Sequence, residues 1–75
     1  MNDRWFKFER LRWIGEMLLV YGFINREHLM KKFYVSKPTA AKDFGDFQKR
    51  FPGYMTYDLS QKQYVWTGKT WQDGI

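Results

Sequence analysis

The sequence predicts a small α+β domain in which three helices precede a C-terminal β-hairpin. Three observations predict it. Apolar residues up to Phe51 recur at the three- and four-residue steps that gather on one side of a helix, in separate runs broken at Gly22 and around Val35. Asn25 and Ser36 stand where helices start and are good N-cap residues. Beyond Pro52 and Gly53 the composition shifts to Tyr, Thr, Val and Trp in two short runs, which suits paired strands.

The first helix is expected from Asp3 to Tyr21, a stretch free of Pro in which Phe6, Leu11, Ile14, Met17, Leu18 and Tyr21 form the inward stripe. Trp5, Phe8 and Leu19 fall outside that stripe, so they are expected to meet a second surface. Gly22 stops the helix, because glycine accepts the left-handed conformation that ends a helix at little cost. Phe23-Ile24 is then a short extended piece. Asn25 caps a second helix that begins at Arg26 and ends by about Tyr34, with Ile24 and Leu29 spaced as a hydrophobic staple. Leu29, Met30 and Phe33 point inward; Arg26, Lys31 and Lys32 point outward.

The third helix, Ser36 to Phe51, opens with VSKPTAAKDF. Ser36 caps it, and Pro38 lies in the first turn, where a missing N–H costs nothing because that group has no partner inside the helix. Ala40, Phe44, Phe47 and Phe51 share one buried stripe. Pro38, Thr39, Lys42, Asp46 and Lys49 lie opposite, with Lys37 and Ala41 on the flank. Strands are expected at Tyr54 to Tyr57 and Lys62 to Trp66, around a polar Asp58-Leu59-Ser60-Gln61 turn. Residues 1–66 therefore form the folded unit, and TGKTWQDGI, residues 67–75, has no period and reads as a tail.

A chain of 75 residues is one domain, and with seven Phe, five Tyr and four Trp it can build a useful core without staples. The absence of cysteine removes disulfides, thiolate zinc sites and a cysteine nucleophile, and suits a reducing cytoplasm. No run reaches the roughly 20 apolar residues that cross a bilayer, and the N-terminus lacks the apolar centre of a secretion signal, so no membrane contact is expected. The lone His28 has no second His or Cys to complete a metal site and reads as helix surface. Asp43 and Asp46 read as intrahelical partners of Lys42 and Lys49 rather than as an acid and base pair. With no phosphate loop, activated nucleophile or metal constellation, an enzyme is not expected, and no cofactor is implied.

Charge points to a polyanionic partner. The formal net charge is +5, and between Arg26 and Arg50 seven Lys or Arg stand against three Asp or Glu. A helix, a short strand, two helices joined by a tight turn and a hairpin make a winged helix-turn-helix, in which the second helix of the pair enters the major groove and the hairpin reaches backbone or minor groove. A groove about 12 Å wide excludes bulky side chains from the leading face, and here that face is short and positive. Thr39 and Ala41 can touch a thymine methyl, and Lys37 and Lys42 can reach guanine acceptors or phosphates. Ser36 and the free first-turn N–H groups are expected to form a phosphate site, and Pro38 lies on the same leading face as a candidate for DNA contact. Asn25, Arg26, Lys31, Lys32 and Lys49 are further candidates for DNA contact. Lys62, with Gln61 or Gln63, is the wing contact.

The run from Leu11 through Trp66, with its INREHLMKKF brace, SKPTAAKDF opening and PGYMTYDLSQKQYVW hairpin, resembles the N-terminal winged-helix domain of WYL-domain transcriptional regulators, above all repressors of phage-defence islands. The resemblance implies sequence-specific binding of double-stranded DNA by a usually dimeric repressor, with Ser36, Thr39, Ala41 and Lys42 in the reading positions. The family often has Gln and Ser where this chain has Thr39 and Ala41, so a different base preference is expected. The 75 residues do not include its ligand-sensing and C-terminal dimerisation domains, so the expectation is either a free-standing regulator of phage or mobile-element origin or an excised domain.

Each singled-out residue also has a structural reading. Ser36 and Pro38 can be helix-start chemistry alone, and Lys31, Lys32 and Lys49 a solvated face. The rival function is a winged-helix protein-interaction adapter using the surplus aromatics Trp5, Phe8, Trp66 and Trp71. The two functions are compatible: a homodimer through Trp5, Phe8 or Trp71 would space two reading helices about 34 Å apart on a palindromic operator.

Overall fold

The computed structural model describes residues 3–69. The elements follow in the order α1 (Asp3–Tyr21), β1 (Phe23–Ile24), α2 (Arg26–Phe33), α3 (Lys37–Arg50), β2 (Met55–Asp58) and β3 (Gln63–Trp66). The expected α+β layout of three helices and a hairpin wing is the one observed.

Each boundary has a local cause. Gly22 sits at φ 85° and returns its N–H to the Leu18 carbonyl at 2.9 Å, closing α1. Asn25 Oδ1 accepts the His28 N–H at 2.9 Å, while the Asn25 N–H donates to His28 Nδ1 at 3.3 Å. This is a reciprocal capping box with histidine in the place usually taken by Glu or Gln, and it gives His28 a structural task. Ser36 Oγ accepts the Thr39 N–H at 3.3 Å and donates to Thr39 Oγ1 at 3.0 Å.

The hairpin turn contains no glycine because Asp58 organises it. Its Oδ1 accepts from the Ser60 N–H at 3.0 Å, the Ser60 hydroxyl at 2.8 Å and the Gln61 N–H at 3.2 Å. These bonds, the Ser60 hydroxyl first, hold the Asp58 carboxyl below its ordinary pKa. Lys62 takes the left-handed position at φ 54°. The strands consequently lie one residue later than expected at both ends of β2 and at the start of β3.

The sheet order is β1-β3-β2, antiparallel throughout, so the two-residue β1 ties the wing to the helices. One face of the sheet turns Ile24, Met55, Tyr64 and Trp66 toward the core. Leu11, Ile14 and Leu18 from α1, Leu29 from α2, Ala40, Phe44 and Phe47 from α3, and Tyr54 from the turn after α3 complete it. Phe44 stacks flat on Tyr64, with centroids 4.3 Å apart and planes 8° apart, and thereby joins α3 to the wing.

Two expectations need correction. Tyr21 is 66% exposed rather than inward, because the chain reverses at Gly22 and Ile24 closes that end of the core instead. Asp43 and Asp46 are held chiefly from α1 rather than within α3, although the charges of Lys42 and Lys49 add to the lowering of the Asp46 carboxyl; both face α1. Asp43 is 1% exposed and is held by Arg10, whose Nη2 lies 3.4 Å from Oδ1, and by Lys7 Nζ at 3.9 Å. Asp46 pairs with Lys7. Their partners lie 33 and 39 residues away in sequence, beyond the reach of a helical-spacing argument.

Thr67 and Lys69, expected in the tail, bond back to the turn after α3. The Thr67 N–H donates to the Tyr54 carbonyl at 3.0 Å, and Lys69 Nζ to the Pro52 carbonyl at 3.1 Å. Trp66 Nε1 donates to the Lys69 carbonyl at 2.8 Å, and Trp71 lies outside the described residues.

Phe47 is fully enclosed, so Phe47→Ala should cost about 3–5 kcal/mol, a large fraction of the stability of so small a domain, as read by chemical denaturation. The hydrogen bond from Lys7 holds the Asp46 carboxyl below its ordinary 3.8. A carboxyl depressed on folding stabilises above its unfolded pKa and loses that contribution as pH falls through the folded value. Wild type should therefore lose more stability than Asp46→Asn on acidification below 3.8, and parallel curves would mean that the pair contributes nothing.

Candidate nucleic-acid interface

At about 100° per residue, the buried arc of α3 runs through Ala40, Asp43, Phe44 and Phe47, and the opposite arc through Pro38, Ala41, Lys42, Gly45 and Lys49. Pro38, Ala41 and Lys42 are exposed, as is Lys37 on the flank toward the wing. Thr39 is half-buried and bonded to Ser36, so it borders this face on the α1 side rather than standing at its centre.

The first-turn phosphate cradle is smaller than expected. Thr39 N–H is already capped by Ser36, Ala40 N–H bonds the Ser36 carbonyl at 2.9 Å, and Pro38 has none. Only the Lys37 N–H of that turn is left to offer an anion, while the Ser36 hydroxyl proton is directed at Thr39.

A groove of about 320 Å³ separates the starts of α2 and α3 from the wing turn. Asn25, Arg26, Lys37, Gln61 and Lys62 line it together with Glu27, Met30 and Tyr57. Five candidates drawn from three elements thus converge on one concave surface, with three cations against one carboxylate. Burial raises the Tyr64 hydroxyl pKa above 10.0, and the charge of Arg26 opposes that shift, which puts Arg26 electrostatically in touch with the wing.

The remaining lysines lie elsewhere. Lys32 Nζ stands 6.0 Å from the Trp13 ring, and Lys31 and Lys32 border a recess between α1 and α2 with Met17 and Tyr21. Lys49 borders a different groove, between α1 and α3, with Arg4, Trp5, Phe8 and Arg50. Lys31 and Lys32 stand apart from the surface formed by the start of α3 and the wing, and Lys49, on the same arc as Lys42, lies about two turns further along.

This architecture matches one family model over residues 7–70, described as the BrxR transcriptional regulator winged helix-turn-helix domain. The chain belongs to that family. The BrxR-type domain is also 38% identical over 64 residues to a protein named DNA-binding transcriptional repressor CapW from Stenotrophomonas maltophilia, a match covering 85% of this chain and 21% of the relative. A protein of the same name from Escherichia coli strain KTE188 is 36% identical over 61 residues, covering 81% of this chain and 20% of the relative. The chain thus spans about a fifth of the length of these relatives.

Two residues of this BrxR-type domain escaped the sequence argument. Gly45 stands mid-helix on the outward arc with nothing within 4 Å of where a Cβ would sit, so packing does not require it. A glycine there costs about 0.5–1 kcal/mol relative to alanine and keeps the face slim. Its signal was visible as a lone glycine inside a helical pattern. Tyr57 lines the wing groove and packs edge-on against Tyr64 at 4.9 Å; strand alternation alone does not single it out.

Proposed function

We propose that this chain binds double-stranded DNA and serves as the DNA-reading part of a transcriptional repressor. Pro38, Thr39, Ala41 and Lys42 at the start of α3 meet base edges in the major groove, with Ser36 and Lys37 at its mouth. Gln61 and Lys62 of the wing, with Asn25 and Arg26, engage the phosphates alongside. The observation that carries this reading is the outward arc of α3, small and cationic where the buried arc is aromatic, beside a groove lined by Arg26, Lys37 and Lys62. The names of the CapW relatives support the same direction.

Repression needs a defined register, and a pair of copies on a palindromic operator supplies one. Trp5 and Phe8, each 56% exposed, favour a contact between copies through the start of α1. The same aromatics would serve an adapter that binds another protein, but that role leaves the slim basic arc unexplained. Lys31, Lys32 and Lys49 act at most as long-range charge. DNA reading also carries the expected cytoplasmic location with it, and no helix among the described residues is long and apolar enough to cross a membrane.

Lys42→Glu should abolish retention of duplex DNA with an unchanged far-ultraviolet spectrum, since Lys42 is exposed and belongs to no core contact. Wild-type affinity should fall with salt by roughly 0.9 log units per log unit for each neutralised phosphate. Undiminished retention by Lys42→Glu would remove α3 as the reading element, and a flat salt titration would remove phosphate binding altogether.

A further inference from the structure

Five described residues hold a left-handed backbone. Three are Gly22, Gly53 and Gly68, where this conformation is free of steric cost. The other two are Tyr34 and Lys62, at φ 56° and 54°, where an L side chain is disfavoured by about 1–2 kcal/mol relative to the right-handed form. Lys62 already borders the wing groove with Lys37. Tyr34 is the C-cap of α2 and stands two residues before the Ser36 cap, at the corner from which α3 would enter DNA.

Tyr34 does nothing evident for the fold. It is 94% exposed, the highest value among the exposed large apolar residues, and it makes no hydrogen bond or ring contact among the described residues. Glycine would fit the backbone better, and any small polar residue would expose less apolar surface. A chain that keeps a tyrosine here retains its ring and hydroxyl in spite of the backbone.

We propose that Tyr34 is a DNA-contacting residue: its hydroxyl donates to a phosphate oxygen on the wall of the groove that α3 enters, and its ring lies against the adjoining sugar. The inference rests on the DNA-binding reading above and adds to it a contact supplied by the turn rather than by α3 or the wing. Backbone phosphates and sugars are the main targets of protein hydrogen bonds to DNA, and tyrosine is among the usual donors. Such a contact fixes register without reading sequence, so a duplex of mixed sequence is a sufficient probe.

The test measures binding of a fluorescein-labelled mixed-sequence duplex by the full 75-residue chain, alongside thermal melting of each variant. Tyr34→Phe removes only the hydroxyl and should weaken binding roughly tenfold, the low end for one hydrogen bond to a charged acceptor, with no change in melting midpoint. Tyr34→Gly should weaken binding by about tenfold or more while raising the midpoint by about 4 °C, because the backbone is relieved. The salt slope should stay at its wild-type value in both, since no charge is lost. Wild-type affinity in both variants overturns the proposal. So does a lowered melting midpoint in Tyr34→Gly, which would make the ring a structural element. If the wild-type chain itself fails to bind duplex, the DNA-binding reading falls and takes Tyr34 with it. Binding lost in Lys42→Glu but intact in the Tyr34 variants overturns Tyr34 alone.

Discussion

The buried carboxylate of Asp43 constrains the whole molecule. An ionised group with 1% exposure is tolerated only when paired, and its partners, Arg10 and Lys7, both come from α1. That requirement fixes the rotation of α3 about its own axis. A turn of the helix away from α1 would strand Asp43 in the core and break the Asp46 pair with Lys7 at the same time. Apolar packing acts in the same direction, since turning α3 would expose Phe44 and Phe47. The ion pair adds a directional demand, because removing one partner of a buried pair typically costs about 3–5 kcal/mol.

With the rotation set on one side by Asp43, the other side is set by aromatic contact. Phe44 stacks on Tyr64, and Phe47 meets Phe51 and Tyr54 at centroid distances of 5.0 and 6.4 Å. The acid clamp and the aromatic cluster together occupy half the circumference of α3. What remains for solvent is the arc of Pro38, Ala41, Lys42, Gly45 and Lys49, with small side chains and Lys42 in its first half and Lys49 near its end. The same stack carries the wing, so the position of Lys62 relative to Lys37 follows from the core. Strain collects at the edge of this surface: Tyr34 and Lys62 keep left-handed backbones that glycine would favour, and Gly45 weakens the helix where alanine would strengthen it.

Features governed by neighbours in sequence were legible before any coordinates. The span of α1, the Asn25 and Ser36 caps, the reversal at Gly22 and the aromatic stripe of α3 all follow from spacing, capping and glycine conformation. Features set by distant partners were not. Asp43 and Asp46 look like helix-surface charges until α1 is packed beside them, and Tyr21 belongs to the stripe of α1 but lies past the end of the core that the stripe meets. The hairpin was displaced by one residue because Asp58 closes its turn with its own side chain, a device that no glycine announces. Within the candidate site, residue type located α3 and the wing, but only the fold separates Lys37 and Lys62, which share a groove, from Lys31, Lys32 and Lys49, which border others.

On the proposed function, rigid packing of one half of α3 presents the other half, with the adjoining wing turn, to DNA. Amide chemical-shift mapping during titration of the folded chain with duplex DNA tests it most directly. The largest changes should fall at the start of α3 and the wing turn, residues 36–42 and 61–62, with small changes in α1. Changes concentrated instead around Trp5, Phe8 and Lys49, in the groove between α1 and α3, would contradict it.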